Sequence, residues 1–507
     1  MSVVRRNIVA TFLGNAWVVL LTFLSVPLIV YFLGIEAYGL VGFFTTLMAL
    51  LTVLDFGLSA TLTREAAHLA PYPERVTELR NLARTLELAY WATGLAIGLS
   101  VFALAPLIAT YWLTPAHLSQ EVTHDVIELM ALVLALRWPF PLYSGGLMGL
   151  ERQVLANALR GGLETFRIGG SVLVLWLVTP SIKVFFIWQA ISVFLATATL
   201  AILFWRVLPG TELGARFDPA QLRRVWRYAA GMMGISIASI LLTQMDKVVL
   251  SKLLTLEQFG YYALASAAAS ILYQLVSPVY SAVFPRFVSL ASNKANENNL
   301  DLPGLYHRTS QLVSVLVFPA ALLAMFFSHQ LLLLWTQNPA TADQASLVFS
   351  VLVAGNALHC LVHPPYALQL AHGWTGLALK INLVSVLVMA PLLVVGAGYF
   401  GSVGAAFAWT MLTAGYVIVG VPLMHRRLLP GELSDWYLRD TLPALGAALL
   451  VVVLAAQFKF SEVSQPVWGV VLCLGSIYLL MLMAAAMALK SIRQWLCLRL
   501  ITIFHRP

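Results

Sequence analysis

The sequence predicts an all-α polytopic membrane protein with about 14 transmembrane helices: two parallel six-helix repeats and two extra C-terminal helices. Three observations predict this fold class. Hydrophobic residues make up 60% of the 507 residues and charged residues only 10%, and the mean hydropathy is +0.86, which is outside the range of water-soluble globular chains. Apolar runs of roughly 20 residues, long enough to cross a hydrocarbon core, recur along the whole chain. One hairpin sequence also occurs twice.

Charged residues and Pro/Gly-containing loops divide the apolar runs into individual spans. The first run is too long for the core of a cleaved signal peptide, so we interpret it as a membrane helix. The first six spans are predicted at residues 8–33, 38–63, 85–113, 125–149, 158–179 and 184–207. Six more are predicted at residues 228–254, 259–288, 309–335, 345–370, 376–398 and 402–424. The last two are predicted at residues 441–458 and 467–489.

The distribution of basic residues sets the orientation, because loops on the cytoplasmic side are enriched in lysine and arginine. Alternate loops hold groups of arginines, such as Arg75, Arg80 and Arg84, whereas the remaining loops hold only Lys183 and Lys459. This alternation predicts that both termini are cytoplasmic. We interpret the net charge of +8 as a topology signal and an attraction to anionic lipid, and not as a nucleic-acid surface.

These spans give a domain organisation with no room for an external catalytic domain, because every outer loop is short. The predicted parts are an N-terminal six-helix lobe (1–207), a cytoplasmic linker (208–227), a C-terminal six-helix lobe (228–424), a cytoplasmic loop (425–440), extra helices 13 and 14 (441–489) and a basic cytoplasmic tail (490–507). The three cysteines lie far apart in the sequence, so they form neither a disulfide framework nor a metal motif.

The internal repeat relates two outer hairpins. "GIEAYGLVGFF" begins at Gly34 and "TLEQFGYYALA" begins at Thr255, so that the Glu, the aromatic residue and the Gly of each align at one offset. Six helices per repeat is an even number, which makes the repeats parallel and related by an axis along the membrane normal. This arrangement is typical of alternating-access carriers with a site between two halves.

A second match relates the ends of spans four and ten. "PLYSGGLMGLERQ" begins at Pro141, "PPYALQLAHGWTG" begins at Pro364, and the offset is nearly the same. Proline removes a backbone donor and clashes with the preceding turn. Pro139, Pro141, Pro364 and Pro365 are therefore predicted to kink the two spans at equivalent depth.

Three segments carry a family resemblance: "LGNAWVVLLTFLSVPLIVYFLGIEAYGL", "LLTVLDFGLSATLTREAA" and "QMDKVVLSKLLTLEQFGYYALA". They resemble the polysaccharide-export branch of the multidrug/oligosaccharidyl-lipid/polysaccharide (MOP) exporter superfamily, which includes bacterial O-antigen and lipid-linked oligosaccharide flippases. The resemblance covers the chain in length and span count. It implies two lobes around a central cavity, a location in the bacterial inner membrane and no enzymatic activity.

The same resemblance implies a function. The expected activity is to flip an undecaprenyl-pyrophosphate-linked oligosaccharide, an O-antigen or exopolysaccharide repeat unit, from the inner to the outer leaflet. The expected partners are this lipid-linked glycan, the membrane, and a polysaccharide polymerase with its assembly proteins, and no nucleic acid. No cofactor or metal is expected. The sequence has no Walker motif, and a coupling ion, either a proton or Na⁺, is left open.

Ionisable side chains within membrane spans are functional candidates, because burying them there costs at least a few kcal/mol each. A polyanionic head group requires cations at depth, so Arg137, Arg167 and Lys247 are the predicted substrate-binding residues. Gln244 and Gln274 are predicted to contribute hydrogen bonds to the same cavity. Glu164 lies three residues before Arg167, on one helix face, and these two side chains are expected to be able to pair.

Carboxylates are the candidates for ion coupling or for neutralising a nearby arginine: Asp55, Glu164 and Asp246. Asp246 and Lys247 end a stripe of Ser236, Ser239 and Thr243 in span seven. Adjacent helical residues point about 100° apart, so the two side chains are predicted not to pair with each other. Lys247 is expected to face the cavity between the lobes.

Two histidines lie four residues apart in predicted span ten. His359 and His363 have the spacing of metal ligands on a helix face, but two ligands do not define a site.

The alternatives to the oligosaccharide flippase are a multidrug or small-solute antiporter of the same superfamily and a lipid II flippase. A membrane glycan polymerase is disfavoured, because it would need a substantial outer loop.

Overall fold

The computed structural model describes residues 3–210, 214–292, 302–457, 467–490 and 492–494, and in them all side chains except those of residues 3–13, 222 and 224–236. These described residues form helices joined by short turns, and one isolated bridge joins Thr114 to Thr255. The predicted basic tail beyond residue 494, Lys459 and the side chain of Ser236 lie outside this description. The all-α class predicted from the sequence is confirmed.

The described residues form twenty α-helices. The first ten are α1 (Val3–Leu33), α2 (Ile35–Leu51), α3 (Leu58–Leu69), α4 (Val76–Leu107), α5 (Gln120–Arg137), α6 (Phe140–Gly149), α7 (Gln153–Leu177), α8 (Ile182–Val207), α9 (Pro219–Leu253) and α10 (Leu256–Ala269). The others are α11 (Ile271–Ser292), α12 (Leu302–Phe326), α13 (Ser328–Thr336), α14 (Pro339–Leu361), α15 (His363–Ala371), α16 (Thr375–Gly415), α17 (Val421–Leu428), α18 (Leu433–Asp435), α19 (Leu442–Ala456) and α20 (Val467–Ala488).

Eleven helical segments of the described chain are long and apolar enough to cross a membrane, so the protein is a multi-pass membrane protein. The predicted spans five and seven, α7 and α9, are not among the eleven. Arg160, Glu164 and Arg167 interrupt the apolar run of α7, whereas α9 includes residues 224–236, whose side chains lie outside the described part of the chain. Predicted spans eleven and twelve are two helices within Thr375–Gly415, separated at Gly401, where the backbone is not helical (φ 58°, ψ −138°). The number fourteen stays a prediction.

Predicted spans four and ten are each divided into two helices. Span four stops at Arg137 and resumes at Phe140, with Pro139 between the two helices and Pro141 in the first turn of α6. Span ten stops at Leu361 and resumes at His363, and prolines again follow in the first turn of α15. A first-turn proline is tolerated because its missing N–H has no intrahelical acceptor. The prolines therefore begin new helices.

The chain divides into two compact units, Met1–Gly260 and Tyr261–Pro507. In the first unit α1 packs on α7, and α5 lies between α4 and α8. An apolar core joins α3, α4, α6 and α8 and includes Leu62, Leu79, Tyr143 and Phe204. The sequence repeat assigns α9 to the C-terminal lobe, whereas the helix packs against α2, α3 and α4 of the first unit. The lobe boundaries predicted from the repeat stay a prediction.

Two glycines of the predicted repeat meet where α2 crosses the start of α10. A Cβ at Gly39 would overlap the carbonyl oxygen of Leu256, and a Cβ at Gly260 would overlap that of Ile35. Leu256 follows Ile35 by the same number of residues as Gly260 follows Gly39, so the contact is reciprocal. Small residues allow helix backbones to approach this closely in membrane proteins.

The second unit is built around α12, which packs against α14, α19 and α20. The helices α14 and α16 form a second extensive interface, and α11 contacts both α12 and α15. The predicted extra helices therefore lie against the same helix that forms the middle of this unit. A π-helical segment, Trp436–Thr441, leads from α18 into α19 and also contacts α12.

Candidate substrate site

Two arginines and one glutamate meet within the first unit. Arg137 is the last residue of α5, and Glu164 and Arg167 lie one turn apart on α7. Glu164 Oε2 accepts hydrogen bonds from Arg167 Nε at 2.8 Å and Nη2 at 2.6 Å. Glu164 Oε1 lies 3.5 Å from Arg137 Nη2. The pairing of Glu164 with Arg167 is confirmed, and Arg137 joins the pair because α5 ends beside α7.

The guanidinium of Arg167 is held from a third helix as well. Its Nη1 donates to Gln189 Oε1 on α8 at 2.8 Å, and Gln189 Nε2 donates to Ser171 Oγ at 3.0 Å. The indole of Trp188 donates to the backbone carbonyl of Arg167 at 3.1 Å. These bonds orient the plane of the Arg167 guanidinium. Residue spacing does not single out Gln189, because its partners come from another helix.

The cluster has a surplus of positive charge, since one carboxylate faces two guanidinium groups. The side chain of Glu164 is 9% exposed, whereas those of Arg137 and Arg167 are 29% and 24% exposed. The Arg137 guanidinium also lies 5.6 Å from the ring centre of Phe140, at cation–π distance. A paired charge is tolerated at low dielectric, but an excess cation favours a nearby anion. The cluster is therefore suited to binding an anionic group.

Asp55 lies at a break between two helices. It ends a short 3₁₀ segment, Thr52–Asp55, after which Phe56 and Gly57 adopt left-handed conformations with φ of 49° and 73°. Its two carboxylate oxygens accept hydrogen bonds from the hydroxyls of Ser59, at 2.9 Å, and Tyr90. Asp55 is therefore not a member of the arginine cluster described above. Its role in ion coupling stays a prediction.

The prediction that Asp246 and Lys247 do not pair is wrong. Lys247 Nζ lies 3.9 Å from Asp246 Oδ1 and 3.3 Å from the carbonyl oxygen of Thr243, one turn earlier on α9. The angle of 100° describes the direction of Cβ atoms, whereas the long lysine stem folds back along the helix surface. Asp246 is buried and Lys247 is half-buried.

The two predicted glutamines lie in different surroundings. Gln244 is half-buried beside Thr243 on α9, whereas Gln274 is exposed on α11. Gln274 belongs to an exposed polar row, which consists of Ser270 in the turn before that helix and Gln274, Ser277 and Ser281 on it. A spacing of four, three and four residues places these side chains on one helix face. Their binding roles stay predictions.

His359 and His363 lie on either side of the break between α14 and α15. Their ring centres are 5.4 Å apart, and Tyr273 lies against both rings. Trp409 also contacts His359, at 5.6 Å between ring centres. The pair is thus part of an aromatic cluster in the second unit, well separated in sequence from the arginines.

Sequence reasoning missed a network around Glu87 on α4. Glu87 accepts hydrogen bonds from the Tyr143 hydroxyl at 2.7 Å and the Trp205 indole at 2.9 Å, and Arg84 donates to its second oxygen at 2.6 Å. The guanidinium of Arg84 also stacks over the ring of Trp205. The spacing of Arg84 and Glu87 was the available signal, but both residues lie close to a predicted span boundary.

One further group has the geometry of metal ligands. The ligand atoms of His124, Asp125 and Glu128 lie within 4.8 Å of one another. The ammonium group of Lys183 contacts Asp125, and His124 lies 3.6 Å from both carboxylates. Lys183 therefore already provides a cation for this group, and we assign no metal to it.

Comparisons with known proteins agree with this architecture. Residues 4–291, more than half of the chain, match the model of a family described as "Polysaccharide biosynthesis protein". The succinoglycan biosynthesis transport protein ExoT of Rhizobium meliloti (strain 1021) is 25% identical over 327 residues, which is 62% of this chain and 59% of that protein. A putative O-antigen transporter of Shigella flexneri is 21% identical over 431 residues, which is 81% of this chain and 95% of that one.

Solved structures show the fold. The lipid II flippase MurJ in an inward closed conformation aligns with a TM-score of 0.68 and 14% identity, and the alignment covers 94% of this chain and 97% of MurJ. An inward-facing multidrug resistance MATE family transporter of the MOP superfamily aligns with a TM-score of 0.63 and 13% identity, over 80% and 94% of the two chains. The chain belongs to the polysaccharide biosynthesis protein family and has the fold of the MOP exporter superfamily.

Proposed function

We propose that this protein is a flippase that moves an undecaprenyl-pyrophosphate-linked oligosaccharide from the inner to the outer leaflet by alternating access. The family membership supports transport in polysaccharide biosynthesis. The names of the two relatives, a succinoglycan transport protein and a putative O-antigen transporter, support a glycan as cargo. The fold shared with a lipid II flippase is compatible with a lipid-linked substrate.

The observation that carries this proposal is the surplus cation of the Arg137–Glu164–Arg167 cluster. A pyrophosphate group is a polyanion, and guanidinium groups bind phosphate oxygens in a bidentate geometry. Glu164 and Gln189 hold Arg167 in a fixed orientation, so less side-chain entropy is lost when an anion binds. Arg137, which makes a longer contact at 3.5 Å, is free to move toward the ligand.

The other predicted residues take subordinate roles in the proposal. Lys247 is proposed to contact the same head group, and Gln244 and Gln274 to form hydrogen bonds with it or with its sugars. Asp55, Glu164 and Asp246 are the proposed charge partners or ion-coupling groups, and the coupling ion is a proton or Na⁺. The protein is proposed to act in the bacterial inner membrane beside a polymerase and assembly proteins.

The test is transport of a lipid-linked oligosaccharide in proteoliposomes, followed by access of an external glycosidase to the sugar. We expect Arg137→Gln and Arg167→Gln to reduce the flipping rate at least tenfold, because each removes a charge-assisted phosphate contact worth about 1.5–3 kcal/mol. Lys247→Ala should lose transport, whereas Lys247→Arg should keep much of it. Arg439→Gln is the matched control, since Arg439 is 74% exposed and pairs only at the surface with Asp435.

The same assay separates the rival functions. Wild-type rates in Arg137→Gln, Arg167→Gln and Lys247→Ala would contradict the proposed site. Transport of lipid II, but not of the oligosaccharide lipid, would indicate a lipid II flippase, and transport of cationic drugs alone would indicate a multidrug antiporter. In cells, deletion of the gene should cause the complete lipid-linked oligosaccharide to accumulate on the inner leaflet. Unpolymerised units on the outer face would instead indicate a polymerase.

A further inference from the structure

A histidine in the second unit has a carboxylate at each of its ring nitrogens. His307 lies near the start of α12, and its Nδ1 is 2.5 Å from Asp440 Oδ2 in the π-helical segment before α19. Its Nε2 is 3.2 Å from Glu432 Oε2, in the turn before α18. Gln311, one turn further along α12, donates to the other oxygen of Asp440 at 2.8 Å.

This geometry requires an additional proton. A neutral imidazole has one N–H group, so it can donate to only one of two ionised carboxylates. The imidazolium form of His307 has an N–H group at each ring nitrogen, so it can donate to Asp440 and Glu432 at the same time. The contact geometry therefore favours the protonated ring. Asp440 is 1% exposed, and a buried carboxylate is strongly destabilising without a charged or hydrogen-bonded partner.

The neighbouring elements add few other charges. On α17, His425 Nε2 lies 3.1 Å from the hydroxyl of Tyr306, and its Nδ1 lies 2.9 Å from the carbonyl oxygen of Val421. In the π-helical segment, Arg439 pairs with Asp435 at 2.6 Å. On the other helices that pack on α12, Arg286 of α11 is exposed, and Asp343 of α14 pairs with His329. His359 of α14 and His363 of α15 lie against Tyr273 in the aromatic cluster. The helices α19 and α20 contain no Asp, Glu, Lys, Arg or His.

We propose that His307, Asp440 and Glu432 form a proton-binding site that fastens the C-terminal helix pair, α19 and α20, to α12. The ligand is a proton from the cytoplasmic side, where the predicted orientation of the chain places the start of α12. Both carboxylates belong to the segment that leads into α19, and α12 supplies the base. Loss of the proton would leave the buried Asp440 carboxylate facing a neutral ring, and this would weaken the junction.

The site is tested by thermal unfolding of the purified full-length protein in detergent at a series of pH values. The folded state binds the proton more tightly than the unfolded chain, so this contribution to stability is present at low pH and is lost as the pH rises. We expect a higher Tm at about pH 6 than at about pH 9. His307→Gln should remove most of this difference, because glutamine cannot carry the second proton as a cation.

The matched control is His329→Gln. His329 also contacts a carboxylate, Asp343, at 3.0 Å, but through one ring nitrogen and at a site where Asp343 is 68% exposed. This variant should keep the wild-type dependence of Tm on pH. If His307→Gln does not fold, Glu432→Gln should give a smaller shift in the same direction, since it leaves the contact with Asp440 intact.

Amide hydrogen exchange measures how firmly α19 and α20 are attached to α12. At one fixed pH of about 6, amide hydrogen exchange of α19 should be faster in His307→Gln than in the wild type, and exchange of α5 in the first unit should be unchanged. Two results would overturn the proposal: an unaltered pH profile of Tm in His307→Gln, or equal exchange rates for α19. Neither measurement involves transport, so this site is tested independently of the proposed flipping activity.

Discussion

Glu164 determines the charge balance of the arginine cluster. Its two oxygens contact the guanidinium groups of both Arg137 and Arg167, and its side chain is 9% exposed. Without this carboxylate, two cations would lie close together in a poorly solvated part of the protein. The same carboxylate also competes with an incoming anion for both arginines. Glu164 therefore stabilises the folded protein but lowers its affinity for an anionic ligand.

Glu164→Gln is expected to destabilise the protein by about 3–5 kcal/mol, because it leaves buried charge without its counter-ion. Thermal unfolding in detergent measures this loss. Asp435→Asn, which removes the partner of the exposed Arg439, is the control and should change stability by at most about 1 kcal/mol. Added pyrophosphate should raise the Tm of Glu164→Gln more than that of the wild type, since the anion replaces the lost carboxylate. Equal effects in both proteins would argue against anion binding at the cluster.

Helix α2 and helix α10 owe their close approach to two glycines. Each glycine lies against a backbone carbonyl oxygen of the other helix, and both contacts are made at equivalent positions of the predicted repeat. A hydrogen bond from Leu256 N to the Thr114 carbonyl, at 2.9 Å, attaches the loop after α4 to the same place. Trp112 of that loop also donates to Ser251 Oγ at 3.0 Å. The ends of these helices are therefore joined mainly through backbone atoms.

Gly39→Ala should separate α2 from α10, because the new Cβ would overlap the carbonyl oxygen of Leu256. In a chain whose three cysteines are replaced by serine, Ile35→Cys and Leu256→Cys should form a disulfide, and Gly39→Ala should lower its yield. Gly260→Ala should do the same. Gly169→Ala is the control, since a Cβ there meets nothing within 4 Å. This substitution should stabilise helix α7 by about 0.5–1 kcal/mol. An undiminished disulfide yield in Gly39→Ala would contradict this account of the crossing.

At the scale of the whole molecule, the bilayer explains which features could be predicted. It imposes length and apolarity on each span, so the helical class and most span positions follow from composition and hydropathy. Within the arginine cluster, the Glu164–Arg167 contact is local and follows from residue spacing. Arg137 and Gln189 come from two other helices, and the sequence does not state which helix faces meet. The prediction for Asp246 and Lys247 is wrong because Cβ directions do not describe where the end of a long lysine side chain lies.

The networks around Glu87 and His307 were missed for a related reason. Each joins helices that are distant in sequence, and their charged members lie near span ends, where charges usually indicate solvent or lipid head groups. Burial of Asp440 and Glu87 depends on packing of other elements over those ends. Hydropathy describes one segment at a time, so it does not report such packing.

The orientation of the whole chain can be tested with two cysteines on either side of α8. Thr179 is exposed in the turn between α7 and α8, and Ala220 is exposed at the start of α9. Arginines accumulate between residues 206 and 227, whereas Lys183 is the basic residue nearest to Thr179, so the positive-inside rule places Thr179 outside and Ala220 inside. In the cysteine-free background, Thr179→Cys should react with a membrane-impermeant maleimide in spheroplasts, and Ala220→Cys only after permeabilisation. The opposite labelling pattern would show that the predicted orientation is reversed. Successive loops lie on opposite sides of the membrane, so every loop would change side, and the His307 site would lie on the outer side.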